Sequence, residues 1–312
     1  MIRWGIVSTV KAPFEQIAGF CAWHLDAGAT HIYLYLDEDA PNTLARLNTH
    51  PQITALHTDA DWWAKRKGRP EKHQARQSVN ARHANNRFVN KAEPALDWLA
   101  HIDVDEFLIA ERPVADQLAG LSPDTLCARV RPIEALASEG TETVFKAFHL
   151  DQAARQRAAL ACFPTWGAHL SGGFLSHVAG KLFFRTGLKR LQIKIHNILL
   201  DCVQNPGQVE LPGIELGHFH AHSWDHFLAA YRFRLARGSY RAELHPQVRQ
   251  PGALSLHDLF RQIEAEGGEA ALRAFYEEVA VATPALCARL DAEGLLRRYD
   301  LDLAARRARH FR

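Results

Sequence analysis

Two patterns of hydrophobic and polar residues alternate along the first hundred residues. Short runs rich in apolar and β-branched residues predict strands, and stretches with apolar residues three and four positions apart predict helices. The predicted strands cover residues 2–10, 31–36, 52–57 and the run that starts at Trp98, and the predicted helices cover residues 13–27, 43–47 and 71–90. This alternation predicts an α/β fold with a doubly wound, mostly parallel sheet flanked by helices. In such sheets the ligand lies at the carboxyl ends of the strands.

The pattern changes after residue 113. Strand-like runs are predicted at residues 125–130, 181–185, 191–195 and 214–221, and the stretch 138–180 is predicted to form long loops. Helical spacing follows over residues 224–237, 255–266, 269–281 and 284–296. Thr283 is expected to cap the last of these helices, with Pro284 in its first turn. We therefore predict a domain of residues 1–240, with a boundary between residues 112 and 113, and a C-terminal helical extension of residues 241–312.

An acidic stretch directly follows the apolar run that starts at Trp98. Three of the four residues 103–106 are carboxylates, namely Asp103, Asp105 and Glu106. Crowded carboxylates at the end of a buried strand repel one another and lose hydration unless a cation or hydrogen-bond donors compensate them. Asp103 and Asp105 would point to the same side of an extended segment, and a hard divalent ion is the usual compensation. We therefore predict a metal site here; an acidic turn or a helix cap is the alternative.

Other polar residues follow the neighbouring predicted strands. Thr9 and Lys11 lie at the end of the first strand, Asp37 follows the second and Asp59 follows the third. Because the carboxyl ends of parallel strands meet at one edge of a sheet, we expect these residues to line one crevice together with Asp103. Each of them alone could instead be a solvated loop residue or a helix cap.

A second group of residues that can bind metal ions lies near residue 220. His218, His220 and His222 alternate along the chain and would share one side of an extended strand. One histidine could complete a metal site with Asp103 and Asp105, or the three could form the zinc site of a metallohydrolase. The hydrolase interpretation leaves the carboxylates of the first half unexplained. The third interpretation is that these histidines only pack or form hydrogen bonds.

Composition narrows the possible partners and the compartment. The 312 residues are 47% hydrophobic and carry a net charge of +2, which gives no support for a nucleic-acid partner. The five cysteines are widely spaced, which argues against a disulfide framework or a cysteine zinc site. No secretory signal and no apolar stretch of about 20 residues is visible, so we expect a cytoplasmic protein. Six arginines among residues 297–312 make the C-terminus a candidate for peripheral contact with an anionic membrane.

Several segments of the first 240 residues form a pattern that is known from one family. They are residues 7–11, 23–29, 31–37 and 101–108, the helix with Arg76, Gln77 and Asn80, and the later elements Gly180, Lys181, His196, residues 218–220, Ser223 and residues 237–238. This pattern resembles the family 2-like glycosyltransferases of GT-A fold. The sequence Asp-Val-Asp-Glu-Phe at residues 103–107 is its most specific element.

The resemblance implies that a sugar moves, with inversion, from a nucleotide-sugar donor to a saccharide, lipid-linked or other hydroxyl acceptor. Residues 1–112 would bind the donor and residues 113–240 the acceptor. The base and ribose would lie near Thr9, Asp37 and Asp59. The diphosphate would lie on a Mn²⁺ or Mg²⁺ ion held by Asp103 and Asp105.

Further site residues follow from the same resemblance. Lys11 and Arg76 would add positive charge near the diphosphate. Separately, an octahedral ion with two carboxylates and two diphosphate oxygens needs further ligands, so we expect a histidine to complete the site, with His220 preferred to His218 or His196. Inversion also requires a carboxylate base for the acceptor hydroxyl. Its candidates are Asp225, Glu134 and Glu139. Two alternatives to this function stay open, the zinc metallohydrolase and a degenerate transferase domain that serves as a carbohydrate-binding scaffold.

Overall fold

The structure, a computed structural model, describes residues 1–90, 95–237 and 254–311. The chain divides into two units. Unit 1 consists of Met1–Arg131, Ala179–Leu216 and Asp302–Arg312, and unit 2 consists of Pro132–Val178 and Gly217–Leu301. The predicted boundary between residues 240 and 241 lies outside the described residues, and the predicted domain division stays a prediction.

Strands and helices alternate in the first part of the chain. In order they are β1 (Trp4–Val10), α1 (Phe14–Asp26), β2 (His31–Leu36), α2 (Pro41–Leu47), β3 (Ile53–His57), α3 (Ala60–Ala64), α4 (His73–Val89), β4 (Trp98–His101), β5 (Glu106–Ala110) and α5 (Val114–Ala119). Parallel pairing joins β1 to β2 and β4, and joins β2 to β3. The predicted α/β fold with a doubly wound parallel sheet is therefore confirmed.

The hydrophobic pattern of these strands follows from their burial. All seven residues of β1 and all six of β2 are buried, which explains why both strands are apolar runs without polar alternation. Helix α4 is polar over most of its surface, but Ala81 and Ala84 pack in one cluster with Val7, Tyr33 and Leu99. The small alanine side chains let this polar helix lie against the sheet.

The second part of the chain contains more antiparallel pairing. Its elements are β6 (Cys127–Ala135), β7 (Thr143–Lys146), α6 (Gln152–Cys162), a 3-10 turn (Ser171–Gly173), β8 (Lys181–Arg185), β9 (Gln192–Ile193), β10 (Ile198–Leu200), β11 (Val203–Gln204), β12 (Gln208–His218), α7 (Trp224–Arg237), α8 (Leu256–Ala280), α9 (Pro284–Ala292), β13 (Leu296–Tyr299) and α10 (Leu303–His310). In unit 1, β8 pairs antiparallel with β4 and with the first residues of β6. In unit 2, β7 pairs antiparallel with the end of β6 and with β13.

The stretch 138–180 differs from the prediction of long loops, because it contains β7 and α6. Helix α6 begins at an N-cap, Asp151, whose side chain accepts a hydrogen bond from the backbone N–H of Ala154. Its buried residues are Ala158, Ala159 and Cys162, so its apolar face is small. Alanines and a cysteine produce a weak helical pattern, and glycines on the C-terminal side of the stretch obscured it.

Two predicted helices of the C-terminal part are one element in the structure. Helix α8 (Leu256–Ala280) takes the place of both predicted helices, 255–266 and 269–281, with a break at Gly268, whose φ of 57° is not helical. Helix α9 begins as predicted, because the Thr283 side chain accepts a hydrogen bond from the backbone N–H of Leu286. It ends earlier than predicted, at Ala292, and the strand β13 follows.

The basic C-terminal helix α10 packs against α1 within unit 1. Arg306, Arg309 and His310 surround Asp26 of α1, with distances of 2.6, 2.5 and 2.8 Å to its carboxylate oxygens. The two arginines thus have an acidic partner inside the protein. Among the described helices, none combines the length and apolar composition that a membrane crossing requires. Peripheral membrane contact stays a prediction.

Gly180, which precedes β8, is expected to tolerate no side chain. Its φ is +68°, and a Cβ atom there would overlap the carbonyl oxygen of Val130. Gly294 has the same φ of +68°, but no described atom lies within 4 Å of the corresponding Cβ position. We expect Gly180→Ala to lower the free energy of unfolding by about 2 kcal/mol more than Gly294→Ala, which carries only the backbone strain of about 1 kcal/mol. Urea unfolding followed by circular dichroism measures both, and equal losses would contradict the importance of the close approach.

Candidate functional site

Residues 103–106 form a turn, here called the acidic turn, between β4 and β5. The backbone N–H of Glu106 donates to the Asp103 carbonyl at 3.0 Å, and the backbone N–H of Asp103 donates to Glu106 Oε2 at 2.7 Å. These reciprocal bonds close the turn. The expectation that Asp103 and Asp105 lie on one side of an extended segment is therefore wrong, because the Glu106 carboxylate satisfies the backbone where a strand partner would otherwise be needed.

A buried lysine compensates the charge of the acidic turn. The Lys181 side chain is 1% exposed, and its Nζ lies 2.6 Å from Asp103 Oδ2 and 3.5 Å from Glu106 Oε2. Burial lowers the pKa of Lys181, but the negative charges of Asp103 and Glu106 outweigh it and raise this pKa above its ordinary value. The carboxylates thus have a positive counter-charge within the protein, at a place where the sequence alone predicts a metal ion.

The first half of α4 directs polar side chains to the same edge of the sheet. Gln77 donates a hydrogen bond to Asp103 Oδ1, and Asn80 Nδ2 donates to Thr9 Oγ1 at 3.0 Å. Residues three apart on a helix share one face, so Gln77 and Asn80 reach neighbouring strand ends. Helix α4 therefore connects the end of β1 with the acidic turn after β4.

Asp37, the residue after β2, is held by two arginines and a histidine. Arg69 Nη2 and Arg76 Nε lie 2.9 and 2.8 Å from its oxygens, and His73 Nδ1 lies at 3.8 Å. Burial favours the neutral acid, but hydrogen bonds from His73 and Arg69 and the charge of Arg76 lower the pKa of Asp37 to about 2. Arg76 Nη1 also donates to the Glu71 carbonyl at 2.8 Å. Arg76 thus orients Asp37 and the segment that leads into α4.

The two other polar residues predicted at strand ends lie on the surface. The exposed Asp59 is the N-cap of α3, and its Oδ1 accepts a hydrogen bond from the backbone N–H of Trp62 at 2.7 Å. Lys11 is exposed directly after β1. The cap accounts for Asp59 by itself, and the donor-binding roles of both residues stay predictions.

The predicted metal-binding histidines lie in different units. His196 belongs to unit 1, and its Nδ1 lies 2.8 Å from the carbonyl oxygen of Gly180. His218, His220 and His222 belong to unit 2, and β12 ends at His218, so the expected extended strand through the three is wrong. His220 Nε2 lies 2.8 Å from Arg234 Nη1 and therefore accepts its hydrogen bond. Burial, together with the charge of Arg234, lowers the pKa of His220 well below its ordinary value.

The three candidate bases differ in exposure. Glu134 is 1% exposed, its Oε1 lies 3.1 Å from Lys146 Nζ, and its carboxylate also accepts two backbone N–H groups and the Ser176 hydroxyl. Burial raises the pKa of Glu134. The charge of Lys146 and these hydrogen-bond donors lower it by more, so the pKa of Glu134 lies below its ordinary value. Glu139, in the loop after β6, and Asp225, in the first turn of α7, are both exposed.

The oxygen ligands of the acidic turn suit a hard divalent ion. Within residues 1–90, 95–237 and 254–311, no group of three or more His, Cys, Asp or Glu residues is arranged to hold a metal ion. Mg²⁺ is usually bound through one or two carboxylates together with substrate phosphates and water, and Mn²⁺ prefers similar ligands. Asp103 and Asp105 are carboxylates of the type that such a site uses, so their chemistry fits the ion, and metal binding by them stays a prediction.

Several residues at this edge had no assigned role in the sequence analysis. Gln77, Asn80 and Lys181 entered only as parts of the family pattern. No pattern in the sequence pointed to Arg69 or His73. One local signal was available: Lys181 directly precedes the apolar run of residues 182–184. A charged residue at the start of a buried strand indicates a buried partner of opposite charge.

No protein-family model and no curated protein matches the sequence. Two solved structures show some likeness to the fold. One is the 4-diphosphocytidyl-2C-methyl-D-erythritol synthase from Anaerococcus prevotii, with 8% identity, 59% of this chain and 71% of that chain covered and a TM-score of 0.29. The other is HddC from Yersinia pseudotuberculosis, with 10% identity, 75% and 100% covered and a TM-score of 0.37. At these TM-scores neither likeness supports a functional assignment.

The ion pairs of Asp37 are expected to make stability depend on pH. Because the pKa of Asp37 is depressed to about 2, its pairs stabilise the fold above pH ~4 and are lost as the pH falls through the folded-state pKa. We expect Asp37→Asn to lower the free energy of unfolding by about 2 kcal/mol at pH 6, and this difference from wild type should shrink towards pH 2. Urea unfolding at several pH values measures it. Asp116→Asn, at an exposed position, is the control, and a loss in Asp37→Asn that is independent of pH would contradict the role of the charge.

Proposed function

We propose that the protein is a glycosyltransferase that transfers a sugar, with inversion, from a nucleotide-sugar donor to a saccharide, lipid-linked or other hydroxyl acceptor. The observation that carries this proposal is the acidic turn at the carboxyl end of β4. It lies at the same edge of the sheet as Thr9 near the end of β1 and Asp37 after β2. Ligands of doubly wound sheets bind at this edge. The same residues, 101–108, carry the resemblance to the family 2-like glycosyltransferases.

Donor binding at this edge would use groups whose orientation is already set. Asp37 is held as a carboxylate by Arg69 and Arg76, but its side chain is only 2% exposed, so it would act on a donor mainly by orienting these two arginines. The Arg69 side chain is half exposed, which leaves part of its positive charge available to a diphosphate. Thr9, Lys11 and Asp59 complete the proposed donor-binding residues.

Asp103 and Asp105 would hold a Mn²⁺ or Mg²⁺ ion against the donor diphosphate. When bound, the ion would act as a Lewis acid that offsets the negative charge building on the departing nucleoside diphosphate. Among the three histidines, we favour His196 as an additional ligand. Its Nδ1 lies against a backbone carbonyl, which sets the tautomer that metal-binding imidazoles use, whereas His220 Nε2 accepts a hydrogen bond from Arg234. Ligation by His218 or His220 is the less favoured form of the proposal.

The acceptor side requires a base that takes the proton of the attacking hydroxyl. Asp225 and Glu139 are exposed carboxylates and can meet a substrate. Glu134 is enclosed, and both of its oxygens are engaged by Lys146 and by hydrogen-bond donors. We therefore propose Asp225 or Glu139 as the base and regard Glu134 as a structural residue.

The alternative functions have less support. A zinc metallohydrolase would need His218, His220 and His222 to act together, and the chain leaves the strand after His218. A degenerate transferase domain that only binds carbohydrate differs from the proposal in one property, the absence of donor turnover.

A nucleotide-sugar donor is expected to raise the melting temperature in the presence of Mn²⁺. A ligand that binds only the folded protein stabilises it by mass action, so a thermal-shift panel of nucleotide sugars, with Mn²⁺ or a chelator, identifies the donor. We expect Asp105→Ala to abolish both this shift and turnover while the protein stays folded. Asp116→Ala, at an exposed aspartate of unit 1 with no assigned role, should keep both. Full activity of Asp105→Ala in the presence of a chelator would overturn the metal assignment and most of the case for this function.

Replacement of the catalytic base is expected to affect turnover and not donor binding. Asp225→Asn and Glu139→Gln preserve size and remove the charge, and the variant that lacks the base should lose about 100-fold or more in kcat. Its affinity for the donor, measured by calorimetry, should stay at the wild-type value. Glu134→Gln serves as the comparison, and there we expect a lower melting temperature because Lys146 loses its buried partner. Wild-type kcat in both Asp225→Asn and Glu139→Gln would rule out both residues.

A further inference from the structure

We infer that Lys181 is a positioning residue that acts as an internal counter-ion of the acidic turn. Its ammonium group holds Asp103 in place and weakens the binding of a divalent cation until a donor diphosphate arrives. The inference rests on the proposed function, since it concerns how the metal and the donor reach the same site.

The position of Lys181 supports this role. Its Nζ lies 2.6 Å from Asp103 Oδ2 and 3.5 Å from Glu106 Oε2, and only 1% of the side chain is exposed. The other oxygen of Asp103, Oδ1, accepts a hydrogen bond from Gln77. The ammonium therefore bridges two carboxylates at the place where a cation would compensate the same charges.

The backbone on the N-terminal side of Lys181 is constrained by its contacts. The preceding Gly180 has a φ of +68° and lies so close to the Val130 carbonyl that a Cβ atom would not fit. Arg129 Nη1 donates to the carbonyl of Ala179 at 2.7 Å, which fixes the chain one residue earlier. Lys181 itself is the first residue of β8, which pairs with β4 and β6. The backbone that carries the ammonium is thus part of the sheet.

Electrostatics connects this geometry to metal binding. A divalent cation that shares Asp103 with the ammonium lies a few Å from a positive charge, and this repulsion opposes its binding. Even at the high effective dielectric of a partly exposed site, the repulsion amounts to about a tenfold or larger loss of affinity. The negative diphosphate of a donor offsets it. Metal binding is therefore expected to be weak in the free protein and to become favourable together with donor binding.

The test measures the affinity of Mn²⁺ alone, without nucleotide, from the electron paramagnetic resonance signal of free Mn²⁺. The variants are Lys181→Met, Lys181→Gln, which keeps a hydrogen-bond donor, and Lys181→Arg, which keeps the charge. The matched control is Lys146→Met, because Lys146 is equally buried and lies 3.1 Å from the carboxylate of Glu134 in unit 2.

We expect Lys181→Met and Lys181→Gln to lower the Kd for Mn²⁺ about tenfold or more, and Lys181→Arg and Lys146→Met to leave it at the wild-type value. A purely structural lysine would change the melting temperature and not this Kd. If Lys181→Met or Lys181→Gln is unfolded in chelator, the inference requires that Mn²⁺ restore its cooperative melting. An unchanged Kd in both of these variants, or no restoration, overturns the inference. Failure of the proposed function would appear separately, as the absence of any donor-dependent thermal shift in the wild-type protein.

Discussion

The buried contact between Lys181 and Asp103 is the interaction on which the candidate site depends. It joins β8 to the turn after β4, and it places a positive charge among carboxylates that would otherwise repel one another. Loss of Asp103 would leave the buried ammonium of Lys181 without its nearest counter-charge, a kind of loss that typically destabilises a protein by about 3–5 kcal/mol. The glycine before Lys181 and the amide of Gln77 both serve this contact, so the acidic turn has a defined geometry before any ligand binds.

Helix α4 combines packing with the organisation of the site. Its alanines lie in the core cluster of unit 1, while Arg76, Gln77 and Asn80 reach Asp37, Asp103 and Thr9 respectively. The polar residues of the helix therefore contact the ends of three parallel strands. A helix with larger apolar side chains at its inner face would stand further from the sheet, and polar side chains such as those of Gln77 and Asn80 would no longer reach their partners.

A comparison of two buried lysines shows what distinguishes the candidate site from the core. Lys146 and Glu134 in unit 2 are almost fully enclosed. Backbone carbonyls accept hydrogen bonds from Lys146, and backbone N–H groups donate to Glu134, so this pair has a structural role. Lys181 is equally buried, but 30% of the Asp103 side chain is exposed. A charge pair with one accessible partner can respond to a ligand, because the ligand can alter the field at the exposed carboxylate.

The sequence by itself determined the elements whose signals are local. The strand at residues 31–36, the helix that begins at Trp224, the cap at Thr283 and the position of the acidic residues after a buried strand all agree with the structure. The parallel sheet followed from the alternation of strands and helices. Its carboxyl edge, with Thr9, Asp37 and Asp103, could therefore be identified as a candidate site.

The partners of these residues were decided only by the tertiary structure. Lys181 is 78 residues from Asp103 along the chain, and it reaches Asp103 because β8 pairs antiparallel with β4, a choice of neighbour that no local pattern encodes. The bond from the Asp103 backbone to Glu106 that closes the turn is local, and so are the alanines and the Asp151 N-cap of α6, but a search for hydrophobic periodicity detects neither. Hydrophobic periodicity reports which side of an element is buried. It does not report which element lies against that side, and the chemistry of the site depends on that contact.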